Sequence, residues 1–156
     1  MRISCLALAV ITSSVLLPEA AAAAAAACTA TNSITRITNT SPTGLYEYVI
    51  FDVKNPSPTY QVASKSPPFT FDPSDDPVAV NGVKFKQILF PSVYWMCTIP
   101  ELLHLPKTQV KDVKRTGQFE GVVSYVVGYQ TASKYVTTYH YAVTSTRSKV
   151  IMKFKK

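Results

Sequence analysis

FEGVVSYVVGY, residues 119 to 129, is the stretch that decides the fold of this chain. It is rich in Val and Tyr, which favour extended backbone, and it carries no helical period. Its odd positions are Phe119, Gly121, Val123, Tyr125, Val127 and Tyr129; its even positions are Glu120, Val122, Ser124, Val126 and Gly128. Apolar residues occupy both sets, as in a strand covered on two sides. The reading is a central strand with its odd face fully in the core and its even face partly so.

Seven further segments around it read as strands: SITRIT (33 to 38), LYEYVIFDV (45 to 53), TYQVAS (59 to 64), VKFKQILF (83 to 90), TQVKDVKRT (108 to 116), KYVTTYHYAV (134 to 143) and KVIMKFK (149 to 155). Turn chemistry separates them: SPTG, NPSP, SPP, DPSDDP, NG, TG and TSTRS. Most of the eleven prolines fall between strands, where a missing N–H costs least. Asn81-Gly82 reads as a tight hairpin turn, and Thr116-Gly117 as the break before residue 119. Residues 55 to 77, rich in Pro, Ser and Asp, read as loops around one edge strand. Pro100 and Pro106 limit any helix between them to about one turn. The expected architecture is an all-β, single-domain β-sandwich of about eight strands.

Two strands carry face information. In the last one, Val150, Met152 and Phe154 share a side, while Lys149, Lys153 and Lys155 share the other with Ile151. That pattern predicts a basic outer surface. In the strand before it, Tyr135, Tyr139 and Tyr141 have the same parity and are expected in the core. His140, with Lys134, Val136 and Thr138, is expected at the surface on the opposite side.

The N-terminus reads as a secretory signal peptide over residues 1 to 27. Arg2 supplies a positive tip and Ile3 to Leu17 an apolar run interrupted by Thr12, Ser13 and Ser14. Pro18 stops the run, and Ala20 to Ala27 offers small-residue cleavage registers. An uncleaved anchor helix is the competing reading, but the run is short for a bilayer, which wants about 20 apolar residues. Residues 28 to 156 are then one exported domain, large enough to bury a core. Of the three cysteines, Cys5 lies in the signal, which leaves Cys28 and Cys97. They are candidates for a disulfide in an oxidising compartment. Cys28 also stands where a bacterial lipoprotein carries its lipidated cysteine, although Ala25 replaces the usual leucine. One thiol cannot serve both ends.

The net charge of +7 persists without the signal, which holds one base and one acid. A basic exported protein is drawn to anionic envelope polymers or surfaces; export argues against nucleic acid. Tyr94 and Trp95, adjacent in an expected loop, are candidate stacking residues for a sugar or peptide. Lys84, Lys86, Lys111, Lys114 and Arg115 are the bases expected near them, with Lys111, Lys114 and Arg115 as candidate ligand contacts.

The sequence offers little to an enzyme. His104 and His140 are its two histidines. A Cys97–His104–Glu101 site has the right residue types but no recognisable motif, and Cys97 more readily packs or pairs. Asp72, Asp75 and Asp76 share a loop, but it lacks the glycine and distal glutamate of an EF-hand. Asp-Pro sequences commonly make turns through side-chain to backbone hydrogen bonds. Two cysteines without neighbouring histidines do not make a zinc site. Asn39-Thr40-Ser41 has the form of a glycosylation acceptor, with Pro42 after it. No catalytic residue, metal or cofactor is assigned.

The C-terminal half, VKDVKRTGQFEGVVSYVVGY followed by RSKVIMKF, resembles the closing half of the bacterial AMIN-like domain. The resemblance rests on Gly117, Gln118, Phe119, Glu120, Gly121, Val122 and Val123, then on Arg147, Val150, Ile151 and Phe154. YEYVIFDV and the stretch from Tyr60 to Gly82 are similar to the family's first half, so residues 33 to 155 are covered apart from 94 to 107. Two positions depart from the family pattern. Tyr48 stands where arginine is frequent, and Lys153 where the last strand usually carries an acid. The resemblance implies a small exported or lipid-anchored β-sandwich without catalytic activity. Related AMIN domains hold proteins at the cell envelope, often on peptidoglycan.

The expected function is therefore a non-catalytic binding domain for envelope glycan or an anionic surface polymer. A secreted effector or inhibitor acting on a protein is the rival, and a hydrolase using His104 or His140 ranks below both.

Overall fold

The computed structural model describes residues 31–41, 44–93 and 108–156. The candidate disulfide pair Cys28 and Cys97, the expected signal peptide, the possible helical turn between Pro100 and Pro106, His104 and the pair Tyr94 and Trp95 lie outside them. Among the described residues the chain is all-β, a sandwich of two four-stranded antiparallel sheets. The first sheet has the order β1 (Ile34–Thr40), β2 (Tyr46–Val53), β10 (Arg147–Lys155), β9 (Lys134–Thr144). The second has the order β3 (Gln61–Ser64), β6 (Lys84–Pro91), β8 (Val122–Tyr129), β7 (Val110–Phe119). A small arm, β4 (Thr70–Phe71) paired with β5 (Asp76–Pro77), lies outside both sheets.

The core follows from alternation. On β2, Glu47, Val49, Phe51 and Val53 are buried, while Tyr46, Tyr48, Ile50 and Asp52 between them are not. On β10, Val150, Met152 and Phe154 are fully buried, as their shared parity predicts. Opposite them the second sheet contributes Ile88, Phe90, Val113, Val123, Tyr125 and Val127. Aromatic rings join the layers: Phe51 lies 5.2 Å from Phe90 and 5.4 Å from Tyr125, centre to centre. Burying each such side chain stabilises by about 1.5–3 kcal/mol, the main force closing the sandwich. A buried carboxylate braces the same layers. Glu47 accepts the backbone N–H groups of Gln109 and Val110 at 2.8 and 3.2 Å and the Asn39 amide at 2.8 Å.

The segment 119 to 129 is corrected by the structure. It is the end of one strand, a turn and a second strand. Phe119 closes β7 and pairs with Val122, which opens β8. Glu120 and Gly121 form the turn with φ of 47° and 76°. Positive φ at both central residues gives a two-residue hairpin the twist of its strands, and glycine allows it cheaply. Thr116-Gly117, expected as the break, instead sits inside β7 at a register shift. The buried parities also differ. Phe119 is 46% exposed at the hairpin tip, whereas Ser124 and Val126 of the even set are buried.

The arm explains that second burial. Asp72 donates its N–H to the Thr116 carbonyl at 3.0 Å and accepts from Gln118 at 3.2 Å, docking the arm on β7. Phe69 packs on Phe85 at 4.9 Å. Asn81-Gly82 is likewise no hairpin turn, since β5 and β6 do not pair. Asn81 crosses the end of β8, and its N–H binds the buried Asp112 carboxylate at 2.6 Å. Asp75, with φ 58°, and the bond from its N–H to the Phe71 carbonyl at 2.8 Å make the acidic loop a tight turn. The outer side of the second sheet is thus covered by the arm and its flanking loop; the outer side of the first sheet has no such cover among the described residues.

Candidate functional site

The open side of the first sheet is built by strand alternation. β2 presents Tyr46, Tyr48, Ile50 and Asp52 there, and β10 presents Lys149, Ile151, Lys153 and Lys155. β1 adds Arg36, Thr38 and Thr40, which pair with Asp52, Ile50 and Tyr48. β9 adds Tyr139 opposite Ile151 and Tyr141 opposite Lys149. Pairing lines these residues into rows across the sheet. One runs Thr38, Ile50, Ile151, Tyr139; the next runs Arg36, Asp52, Lys149, Tyr141.

The tyrosines of β9 correct the expectation of a core stripe. Tyr139 is 40% exposed and Tyr141 is 47% exposed. The cause is a β-bulge. Phe154 pairs with Tyr135 but Lys153 pairs with Thr137, so Val136 is an extra residue. One inserted residue moves all that follows it to the other face. Tyr135 therefore stays inward, 5.8 Å from Phe154, while Tyr139 and Tyr141 turn out. His140 lies opposite them and is exposed, as expected; its ring nitrogen meets the Tyr60 hydroxyl at 3.5 Å.

Charge on the open face is lopsided. Its bases include Arg36, Lys134, Arg147, Lys149, Lys153 and Lys155; its acid is Asp52, which pairs with Lys149 at 2.7 Å. The Lys153 ammonium sits 3.8 Å from the centre of the Tyr46 ring, within cation–π range. Aromatic planes with polar tips beside cations can stack on sugar rings and attract anionic substituents.

The bases proposed from the sequence go elsewhere. Lys111, Lys114 and Arg115 lie on β7 in the second sheet, all half-buried. Arg115 bonds the Gln118 side chain at 2.6 Å and lies 5.3 Å from the Phe71 ring, so it helps seat the arm. Lys86 faces the gap between the sheets, over the Tyr135 ring at 4.8 Å. The C-terminal lysines of β10 fall on the open face as their alternation predicts. Sequence reasoning singled out Tyr48 as a departure from the family pattern, missed Arg36 and Tyr46, and placed Tyr139 and Tyr141 in the core. The β2 alternation could have found Tyr46, whereas the bulge at Val136 leaves no sequence signal.

A family model described as the AMIN-like domain matches residues 33–152. No curated protein and no solved structure matches the chain.

Proposed function

The chain belongs to the AMIN-like domain family, and from that membership we propose an extracytoplasmic, non-catalytic binding domain. Its ligand is a cell-envelope glycan or an anionic surface polymer. The contact surface is the open face of the first sheet. One observation carries this reading: the exposed Tyr139 and Tyr141 share an uncovered face with Ile50, Lys149 and Lys153. The second sheet's outer side, by contrast, is covered by its own arm. Rigid strands hold the rings in register, which lowers the ordering cost of binding. The apolar run from Ile3 to Leu17 and the alanines that follow it support export, and Cys28 is the candidate position for a lipid anchor or for a disulfide.

Co-sedimentation with purified cell-wall material tests the reading. The wild-type chain is retained, and a Tyr139→Ala, Tyr141→Ala variant with unchanged melting temperature is released. Equal retention of the two overturns the assigned surface.

A second reading, a protein partner, is favoured by β9, an edge strand among the described residues. This strand runs eleven residues without proline and exposes Val136 and Val143. Such an edge can accept a strand from another chain. Retention on protein-free wall material separates the two.

A further inference from the structure

We propose that one end of this open face is a phosphate-binding cleft formed by Arg36, Arg147 and Lys149. This rests on the envelope-polymer reading and names the group that the polymer presents. The cleft has a volume of about 410 Å³, and these three bases and Asp52 are its charged lining. Arg36 comes from β1, Lys149 and Arg147 from β10. Arg36 and Lys149 flank Asp52 in one row, two strand spacings apart, which is about 10 Å.

The polar groups of the cleft differ in what they already hold. Lys149 is committed to Asp52 at 2.7 Å. The Thr35 hydroxyl donates to the Asp52 carbonyl at 3.2 Å, and the Ser148 hydroxyl to the Asn55 carbonyl at 2.5 Å. The side chains of Arg36 and Arg147, both exposed, make no hydrogen bond or ion pair with the described residues. Two guanidinium groups on different strands thus border one cleft with their donors unspent. Three bases against one acid leave it a net charge near +2.

The chemistry favours phosphate over carboxylate. A guanidinium offers five N–H donors in a planar fork, and one fork satisfies a carboxylate edge-on. Two forks reaching a cleft from separate strands suit a tetrahedral group with oxygens on several sides. Val143, 51% exposed, lines the same cleft and gives the carbon chain next to the phosphate an apolar contact. Tyr141 closes the row beyond Lys149, so a sugar stacked there could carry its phosphate into the cleft.

The test compares three probes on the full chain at low salt: a glycerol-phosphate polymer, a polyuronate of matched length, and inorganic phosphate. The wild type is expected to bind the phosphate polymer at least about tenfold more tightly than the polyuronate, and millimolar inorganic phosphate should compete. Arg36→Gln, Arg147→Gln should lose about tenfold or more on the phosphate polymer, a charge-assisted contact's worth. The same variant should keep its melting temperature. Equal binding of both polymers, or an unchanged phosphate affinity in the variant, overturns the cleft. If wall glycan is retained through Tyr139 and Tyr141 while the phosphate polymer does not bind, the cleft assignment fails and the broader reading stands.

Discussion

Tyr48 on β2 and Lys153 on β10 stand directly opposite each other on the open face of the first sheet. They are also the two positions at which this chain departs from the pattern it resembles, arginine at one and an acid at the other. The structure makes the two departures a single site. An acid in place of Lys153 would face the ligand side; with lysine there, Asp52 is the acid left among the described residues of this face. The exchange turns a charge-balanced spot into a cation beside two tyrosine rings, Tyr46 and Tyr48.

Restoring the pattern should therefore change binding more than folding. Tyr48→Arg with Lys153→Asp places opposite charges across the pair, which should hold stability within about 1 kcal/mol of wild type. Retention on anionic wall material should drop several-fold. Urea unfolding and co-sedimentation measure the two effects. Retention equal to wild type would show that Lys153 is not part of the contact.

Gly128 tests the loop that crosses the second sheet. A Cβ built there would lie 2.1 Å from the Asn81 carbonyl oxygen, a backbone atom that cannot swing away. Gly128→Ala must push the loop off β8 and break the 2.6 Å bond from Asn81 to Asp112. Its expected cost is about 2–4 kcal/mol, overpacking plus a buried carboxylate short of a donor. A change below about 1 kcal/mol in urea unfolding would contradict this close approach.

Glu47 tests the brace between the sheets. Its two oxygens accept three N–H groups at full burial. Glutamine has the same shape but one oxygen, so its amide would meet a backbone N–H. Glu47→Gln should cost about 2–3 kcal/mol with no change of fold. Near-neutral stability would mean that the brace does not hold the sheets together.

Alkaline titration reports on the gap between the sheets. Burial first, and then the neighbouring Tyr135, raise the pKa values of Tyr60 and Tyr129 above 10.0. A folded pKa above the unfolded one means that the unfolded chain ionises first. The stability these phenols contribute is intact below about pH 10 and is lost as pH rises through their folded values. Phenolate absorbance should show a late fraction among the nine tyrosines. Tyr60→Phe should remove part of it. A single unbroken titration of all the tyrosines would contradict the burial.

Much of this architecture is legible in the residues themselves. The alternation of β10 gives both its buried side and its lysine side, and the centre of each main strand falls where apolar clustering places it. What stays hidden depends on contacts distant in sequence. The arm's strands are two residues each, too short for any period. The Glu120-Gly121 turn sits inside an apolar run that reads as one strand until its φ angles are known. The bulge at Val136 arises from pairing with β10, and it alone turns Tyr139 and Tyr141 from expected core to surface.

The most direct test of the account is a backbone NMR titration of the full chain with soluble wall-polymer fragments. The predicted amide shifts cluster on Ile50, Tyr139, Tyr141, Lys149, Ile151 and Lys153, and fade with added salt as charge contacts are screened beyond about 8 Å. Shifts confined instead to Lys111, Lys114 and Arg115 on β7, or to the Phe119 hairpin tip, would contradict the assignment of the open face.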